Sequence, residues 1–285
     1  SHDKTATWYL LFPLNKNQNI TNNKITIIKP KSGWVYINYK EILRYKDLFY
    51  FLVWRDIKAR YAQSVLGIGW AVIQPLFSMI VFTIVFGKLA KIDSNGVPYA
   101  IFSFTALVPW TYFSSALAGS SGSLLSASGM MTKVYFPRII IPLSPVLSKL
   151  TDFLIALILL AGMMLYFGIK PSIEILYLPL FILIMIFTAS GLGMWFTALS
   201  VQYRDINYGM GFFIQLLMYA APVVYSTSII PENYRAIYSL FPMVGVIEGF
   251  RATLLQTIKI PWDMIIIGAA ISLLLFITGS FYFKR

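Results

Sequence analysis

Residues 174–199 read EILYLPLFILIMIFTASGLGMWFTAL, and the 25 positions after Glu174 carry no charged side chain. A hydrocarbon core about 30 Å thick is crossed by roughly 20 apolar residues of helix. This stretch is long enough to span a bilayer, and it has companions. Five more runs of comparable character lie at 68–88, 99–127, 140–167, 208–225 and 262–282. Together they predict an all-α integral membrane protein with six transmembrane helices.

Composition agrees. Of the 285 residues, 58% are hydrophobic and only 12% charged, against roughly 25% charged in ordinary soluble domains. A soluble fold of this size lacks the polar residues to cover its surface, whereas lipid asks for none. The net charge of +12 raises the question of nucleic acid, but its distribution answers no. Eleven of the 23 basic residues precede residue 65, ahead of the first span, which is the pattern of an N-terminus held in the cytosol. Cysteine is absent and His2 is the only histidine, which excludes thiolate metal sites, disulfides and a cysteine nucleophile.

The segment 226–258 is apolar but broken by Pro231 and Pro242, and it carries Glu232, Arg235, Glu248 and Arg251. Its uninterrupted apolar part has the length of a re-entrant helix. Parity points the same way. With Lys284-Arg285 at the end and a basic N-terminus, both termini are expected in the cytosol, so the number of spans is even. Residues 229–257 are therefore read as an outer re-entrant segment.

Residues 1–46 read as a cytosolic N-terminal segment, with a hairpin or irregular chain around Pro30-Lys31-Ser32-Gly33. Residues 47–62, DLFYFLVWRDIKARYA, form an amphipathic helix too short and too charged to cross. Phe49, Tyr50, Val53, Trp54, Ile57 and Tyr61 share one arc, expected to face the membrane interface. Residues 63–285 form the transmembrane domain.

The chemistry-bearing patterns are few. The phosphate-cradling motif Gly-x-x-x-x-Gly-Lys-Ser/Thr is missing; Gly87-Lys88-Leu89 is the nearest fragment. Any energy source must be a partner or an ion gradient. Away from the span ends only Lys149 and Asp152 are charged, three residues apart, and they are expected to pair on one helix face. The small residues from Ser114 to Ser123 suit either close helix packing or a polar conduit. Trp110, Tyr112, Phe113, Tyr219 and Tyr225 are read as interfacial or packing aromatics, or as stacking surfaces for sugar rings.

The strings Trp54-Arg55-Asp56-Ile57-Lys58-Ala59-Arg60-Tyr61, Leu66-Gly67, Gln74-Pro75, Pro98-Tyr99, Lys133-Val134-Tyr135-Phe136-Pro137-Arg138, Tyr203-Arg204-Asp205, Pro222-Val223-Val224-Tyr225, Pro231-Glu232 and Gly249-Phe250-Arg251 occur in that order. With them the chain resembles the permease subunit of bacterial ABC-2-type polysaccharide exporters, most of all the O-antigen branch. Phe241 before Pro242 and Ala221 before Pro222 depart from the family's habit. The resemblance implies a homodimer in the inner membrane, joined to two copies of a separate ATP-binding subunit that holds ATP and Mg. No cofactor is expected in this chain, no catalytic residue and no metal. The implied cargo is a lipid-linked polysaccharide, with capsular polymer, teichoic acid, lipid or drug as alternatives; an ion-coupled carrier is the remaining class. The implied contacts to the ATP-binding subunit are Arg55, Asp56, Lys58, Arg60, Tyr61, Lys133, Phe136 and Arg138. Trp110, Tyr112, Phe113, Tyr219 and Tyr225 are implied to line the channel, bordered by the first and fifth spans, with Glu232, Arg235, Glu248 and Arg251 at the outer exit.

Overall fold

A computed structural model describes residues 43–62, 67–131, 135–170 and 172–284. The expected N-terminal hairpin and Lys133 lie outside these residues. Among the described residues the regular structure is helical throughout. We label the main helices α1 (Lys46–Tyr61), α2 (Gly69–Phe82), α3 (Tyr99–Ser121), α4 (Ile140–Ser148), α5 (Leu150–Tyr166), α6 (Leu178–Gln202), α7 (Asp205–Ala220), α8 (Glu232–Tyr238), α9 (Pro242–Leu255) and α10 (Trp262–Lys284).

Among the described residues, five helical stretches are long and apolar enough to cross a membrane: Gly69–Leu89, Tyr99–Ser121, Ile140–Tyr166, Ile173–Gln202 and Trp262–Lys284. The run expected at 208–225 forms only the 16-residue α7. Ala221 is already extended at φ −90° and ψ 148°, because the ring of Pro222 disfavours helical backbone in the residue before it. The run expected at 99–127 also ends early. After Ser121 the chain makes two single turns, Ser123–Ser126 and Ser128–Met131. α2 continues into a widened π turn over Thr83–Leu89. α4 and α5 are nearly one helix, joined at Lys149, where Lys149 N donates to Pro145 O and Phe153 N to Lys149 O, both at 3.1 Å.

α3 is the central helix, packed by α2, α4, α5, α6, α7 and α9. Its sequence is apolar on every side, and such a helix is buried on every side; Phe102, Phe104, Phe113 and Leu117 are wholly enclosed. Every residue of α9 is buried too, against α3, α6 and α10. α9 stops at Gln256, which adopts the left-handed conformation (φ 55°) and donates from Nε2 to Lys170 O at 2.6 Å.

Lipid tails are as apolar as leucine, so packing rather than water exclusion holds these helices together. Small residues and hydroxyls carry much of it. Ser120 donates to Pro142 O at 2.9 Å, Thr197 to Ser120 O at 2.7 Å and Ser200 to Ser121 O at 2.9 Å, tying α3 to α4 and α6. The small-residue run thus places Ser120 and Ser121 at helix crossings. α6 and α10 meet backbone to backbone at Gly191 and Gly279. A Cβ on Gly279 would lie 2.4 Å from Gly191 O, and one on Gly191 would lie 2.6 Å from the Leu275 carbonyl carbon. Gly279→Ala is therefore expected to push the two helices apart at a cost of about 1–3 kcal/mol, read as a lowered unfolding temperature in detergent. Gly162→Ala, where a Cβ meets open space, is the control that should leave it unchanged.

Candidate functional site

Helix α1 packs on α4, and part of the arc expected at the membrane interface is left uncovered by the protein. Tyr50 and Trp54 of that arc are exposed (69% and 46%), and Leu52 is the buried residue. One turn on from Leu52 comes Asp56, and one further turn Arg60. Opposite them α4 and α5 present Ser144, Ser148 and Asp152, again one turn apart. Two polar stripes at matching spacing have more to gain from each other than from lipid.

The bonds between the stripes are specific. Ser144 Oγ donates to Asp56 Oδ2 at 2.6 Å. Arg60 donates from Nη1 to Asp152 Oδ2 at 2.7 Å and from Nη2 to Ser148 Oγ at 3.4 Å. The Tyr61 hydroxyl donates to Asp152 Oδ1. Lys149 Nζ also reaches Asp152 Oδ2, at 3.4 Å. The pair expected within one helix is thus part of a larger knot, in which Asp152 serves three donors and fastens α1 to the α4–α5 span. Burial raises the Tyr61 pKa above that of a free phenol, and the hydrogen bond and charge of Asp152 add to it. Tyr61 therefore stays a protonated donor.

The residues expected to meet an ATP-binding subunit divide accordingly. Asp56, Arg60 and Tyr61 are spent on the chain's own span. Phe136 is buried with Ala127 and Ile141, beneath Tyr45, Leu48, Met130 and Met131. Arg55 is half exposed and chelates Asp56 Oδ1 through Nε (3.1 Å) and Nη2 (2.8 Å). Lys58 is exposed, 5.5 Å above the Trp54 ring. Arg138 is exposed and lines an open cavity of about 500 Å³ with Leu124, Gln202 and Tyr282. Among the described residues of that set, Arg55, Lys58 and Arg138 are the basic groups with surface left for a partner.

A second knot lies around α9. Arg251 and Glu248 are fully buried and pair at 3.0 Å. Arg251 also donates to Tyr225 O at 2.9 Å and Val223 O at 3.0 Å, and its guanidinium lies 3.7 Å from the centre of the Phe102 ring. Glu248 Oε1 accepts from Thr227 N at 3.1 Å, and the Tyr99 hydroxyl donates to Val224 O at 2.7 Å. The turn and bend after α7 thereby find partners for their carbonyls, which Pro222 left outside any helix. Glu232 and Arg235, by contrast, form a looser 3.6 Å pair with Glu232 largely exposed.

The aromatics also divide. Trp110, Tyr112 and Phe113 are enclosed by the chain's own side chains; Tyr112 donates to Val146 O at 3.1 Å and its ring meets Phe153 edge-on. Tyr219 is 58% exposed. Tyr225 donates to Tyr219 O at 3.1 Å, and its hydroxyl lies 3.0 Å from that of Tyr238. Tyr208, Phe212, Leu216 and Tyr219 make an exposed stripe down α7. Sequence reasoning passed over Tyr208 and Phe212, although their four-residue spacing with Leu216 was there to be read.

The family described as ABC-2 type transporter matches residues 47–255. An O-antigen export system permease protein, RfbA, from Myxococcus xanthus is 28% identical over 247 residues, covering 86% of this chain and 94% of that one. Its namesake from Klebsiella pneumoniae is 27% identical over 206 residues, 72% of this chain and 79% of that one. The polysialic acid transport protein KpsM of Escherichia coli is 22% identical over 205 residues, 69% and 77% of the two chains.

Proposed function

Because the chain belongs to the ABC-2 type transporter family, we propose that it is the membrane subunit of an ATP-driven exporter carrying a lipid-linked polysaccharide of O-antigen type across the bacterial inner membrane. The observation that carries this reading is the 28% identity to an O-antigen export permease along 94% of that protein's length. ATP and Mg are held by a separate ATP-binding subunit, two copies of which work on two copies of this chain.

In this reading α2, α3, α4–α5, α6, α7 and α10 cross the membrane, and α8 and α9 turn back from the outer side. α7 reaches spanning length by adding the non-helical residues 221–225. Such irregular backbone is tolerated at membrane depth when protein encloses it, which is the role of Arg251 here. Six crossings also keep the basic ends of the chain together on the cytosolic side.

The ATP-binding subunit docks on the exposed side of α1 and on Arg138, through charge-assisted bonds from Arg55, Lys58 and Arg138. Motion of α1 reaches the α4–α5 span through Asp56–Ser144 and Arg60–Asp152. The exposed stripe of α7, with Tyr219 and the neighbouring Tyr225, borders the polymer path, where tyrosines offer sugars a flat apolar face and a polar tip. An ion-coupled carrier finds little support, since both oxygens of Asp152 are already taken by the chain's own donors.

Lys58→Glu and Arg138→Glu place a negative charge where the partner is expected to present carboxylates, and such juxtaposition costs several kcal/mol. Binding of the ATP-binding subunit is expected to weaken by more than about tenfold, measured by co-purification and by ATP hydrolysis in proteoliposomes. Unchanged association for both variants sinks the docking assignment. The cargo is tested separately: a strain lacking the chain should retain lipid-linked polymer on the cytosolic side and lose it from the surface. A normal surface polymer in that strain overturns the cargo.

A further inference from the structure

Between α1, the two short turns after α3 and the α4–α5 junction lies a cleft of about 360 Å³. Its walls bring together Arg55, Arg60, Lys149, Ser123, Ser126 and Asp56. Three cations thus line it against one carboxylate, and that carboxylate is used up: Arg55 holds Asp56 Oδ1 and Ser144 holds Oδ2. Asp152 lies behind the wall with its oxygens engaged by Arg60, Lys149 and Tyr61.

The donors are not used up. Lys149 Nζ has three hydrogens and one 3.4 Å contact. Ser123 is 8% exposed, and its hydroxyl is buried with no hydrogen-bond partner among the described residues. An unpaired buried hydroxyl costs about 1–3 kcal/mol, and rotation about its own side-chain bond can offer it to a group in the cleft. Surplus positive charge, spare ammonium donors, a free hydroxyl and an apolar floor of Leu52, Ile141 and Pro145 suit a tetrahedral oxyanion attached to something greasy.

We propose that this cleft binds a phosphate or pyrophosphate group, carried either by a lipid headgroup or by a small phosphate compound. The site sits on the joint between α1 and the α4–α5 span, so an occupant stiffens that joint. Basic pockets among membrane helices commonly hold anionic headgroups in this way. The inference draws on this chain's own residues and does not depend on the identity of the exported polymer.

The full chain is placed in phosphatidylcholine nanodiscs with and without phosphatidate, and retained lipid is counted by native mass spectrometry. Inorganic pyrophosphate binding is measured in parallel on the detergent-solubilised chain. Lys149→Gln and Ser123→Val are compared with the wild type. Retention of phosphatidate that falls about tenfold in both variants, the worth of one charge-assisted contact, identifies a lipid headgroup. Binding of pyrophosphate with the same losses identifies a small phosphate compound. Ser123→Val keeps the test sharp, because the Ser123 hydroxyl makes no hydrogen bond among the described residues and its removal breaks none. Equal retention by all three proteins overturns the proposal. So does a cross-link showing the ATP-binding subunit seated in the cleft.

Discussion

Arg251→Met is expected to lower the stability of the chain by roughly 3–5 kcal/mol, the range for removing one partner of a fully buried ion pair. The variant leaves the Glu248 carboxylate enclosed with no cation, and it strips Val223 O and Tyr225 O of their donor. Methionine fills much of the space over Phe102, so the loss is electrostatic rather than a cavity. Unfolding temperature in detergent and protease resistance of the 221–231 stretch are the measurements. Arg251→Met combined with Glu248→Leu should recover a good part of the loss, because no unpaired charge then remains buried. A single variant that melts with the wild type would show that the knot does not hold this part of the fold.

Asp152→Ala is expected to abolish coupling while leaving most of the fold in place. It removes the acceptor of Arg60, Tyr61 and Lys149 together. The Arg60–Asp152 pair is about a quarter exposed, which puts the cost at about 2 kcal/mol, below the fully buried range. That cost falls on the α1–α4 joint and spares the core around α3. Transport in proteoliposomes with the ATP-binding subunit should fall by more than about tenfold, with ATP hydrolysis continuing. The reciprocal exchange, Arg60→Asp with Asp152→Arg, should restore part of the transport, which a merely structural loss would not allow. Full transport by Asp152→Ala removes α1 from the coupling path.

Most of the membrane architecture was legible before any contact was known. Apolar run length is a local property, and five of the six runs appear as helices near the expected boundaries. The run at 208–225 was read too long because hydropathy does not register what Pro222 does to Ala221. The joint was harder. Asp56, Arg60, Ser144, Ser148 and Asp152 all stand in the sequence with helical spacing, but that spacing does not say which helix meets which. At a membrane surface an exposed Trp54 or Tyr50 has lipid or a partner to face, so the inward face goes to whichever stripe finds bonds.

The aromatics make the same point. Trp110 and Phe113 looked no different in sequence from Tyr219, yet α3 is enclosed on all sides and α7 on few. The stretch 174–199 settled by itself that the chain crosses a membrane, since 25 uncharged residues have no other comfortable solvent. The sequence also determined, through its ordered motifs, the family and the class of cargo to test. Only the tertiary structure decided which charges are spent inside the chain and which are left for others. Pairing across 92 residues, as between Arg60 and Asp152, depends on how helices cross, and no local pattern records that.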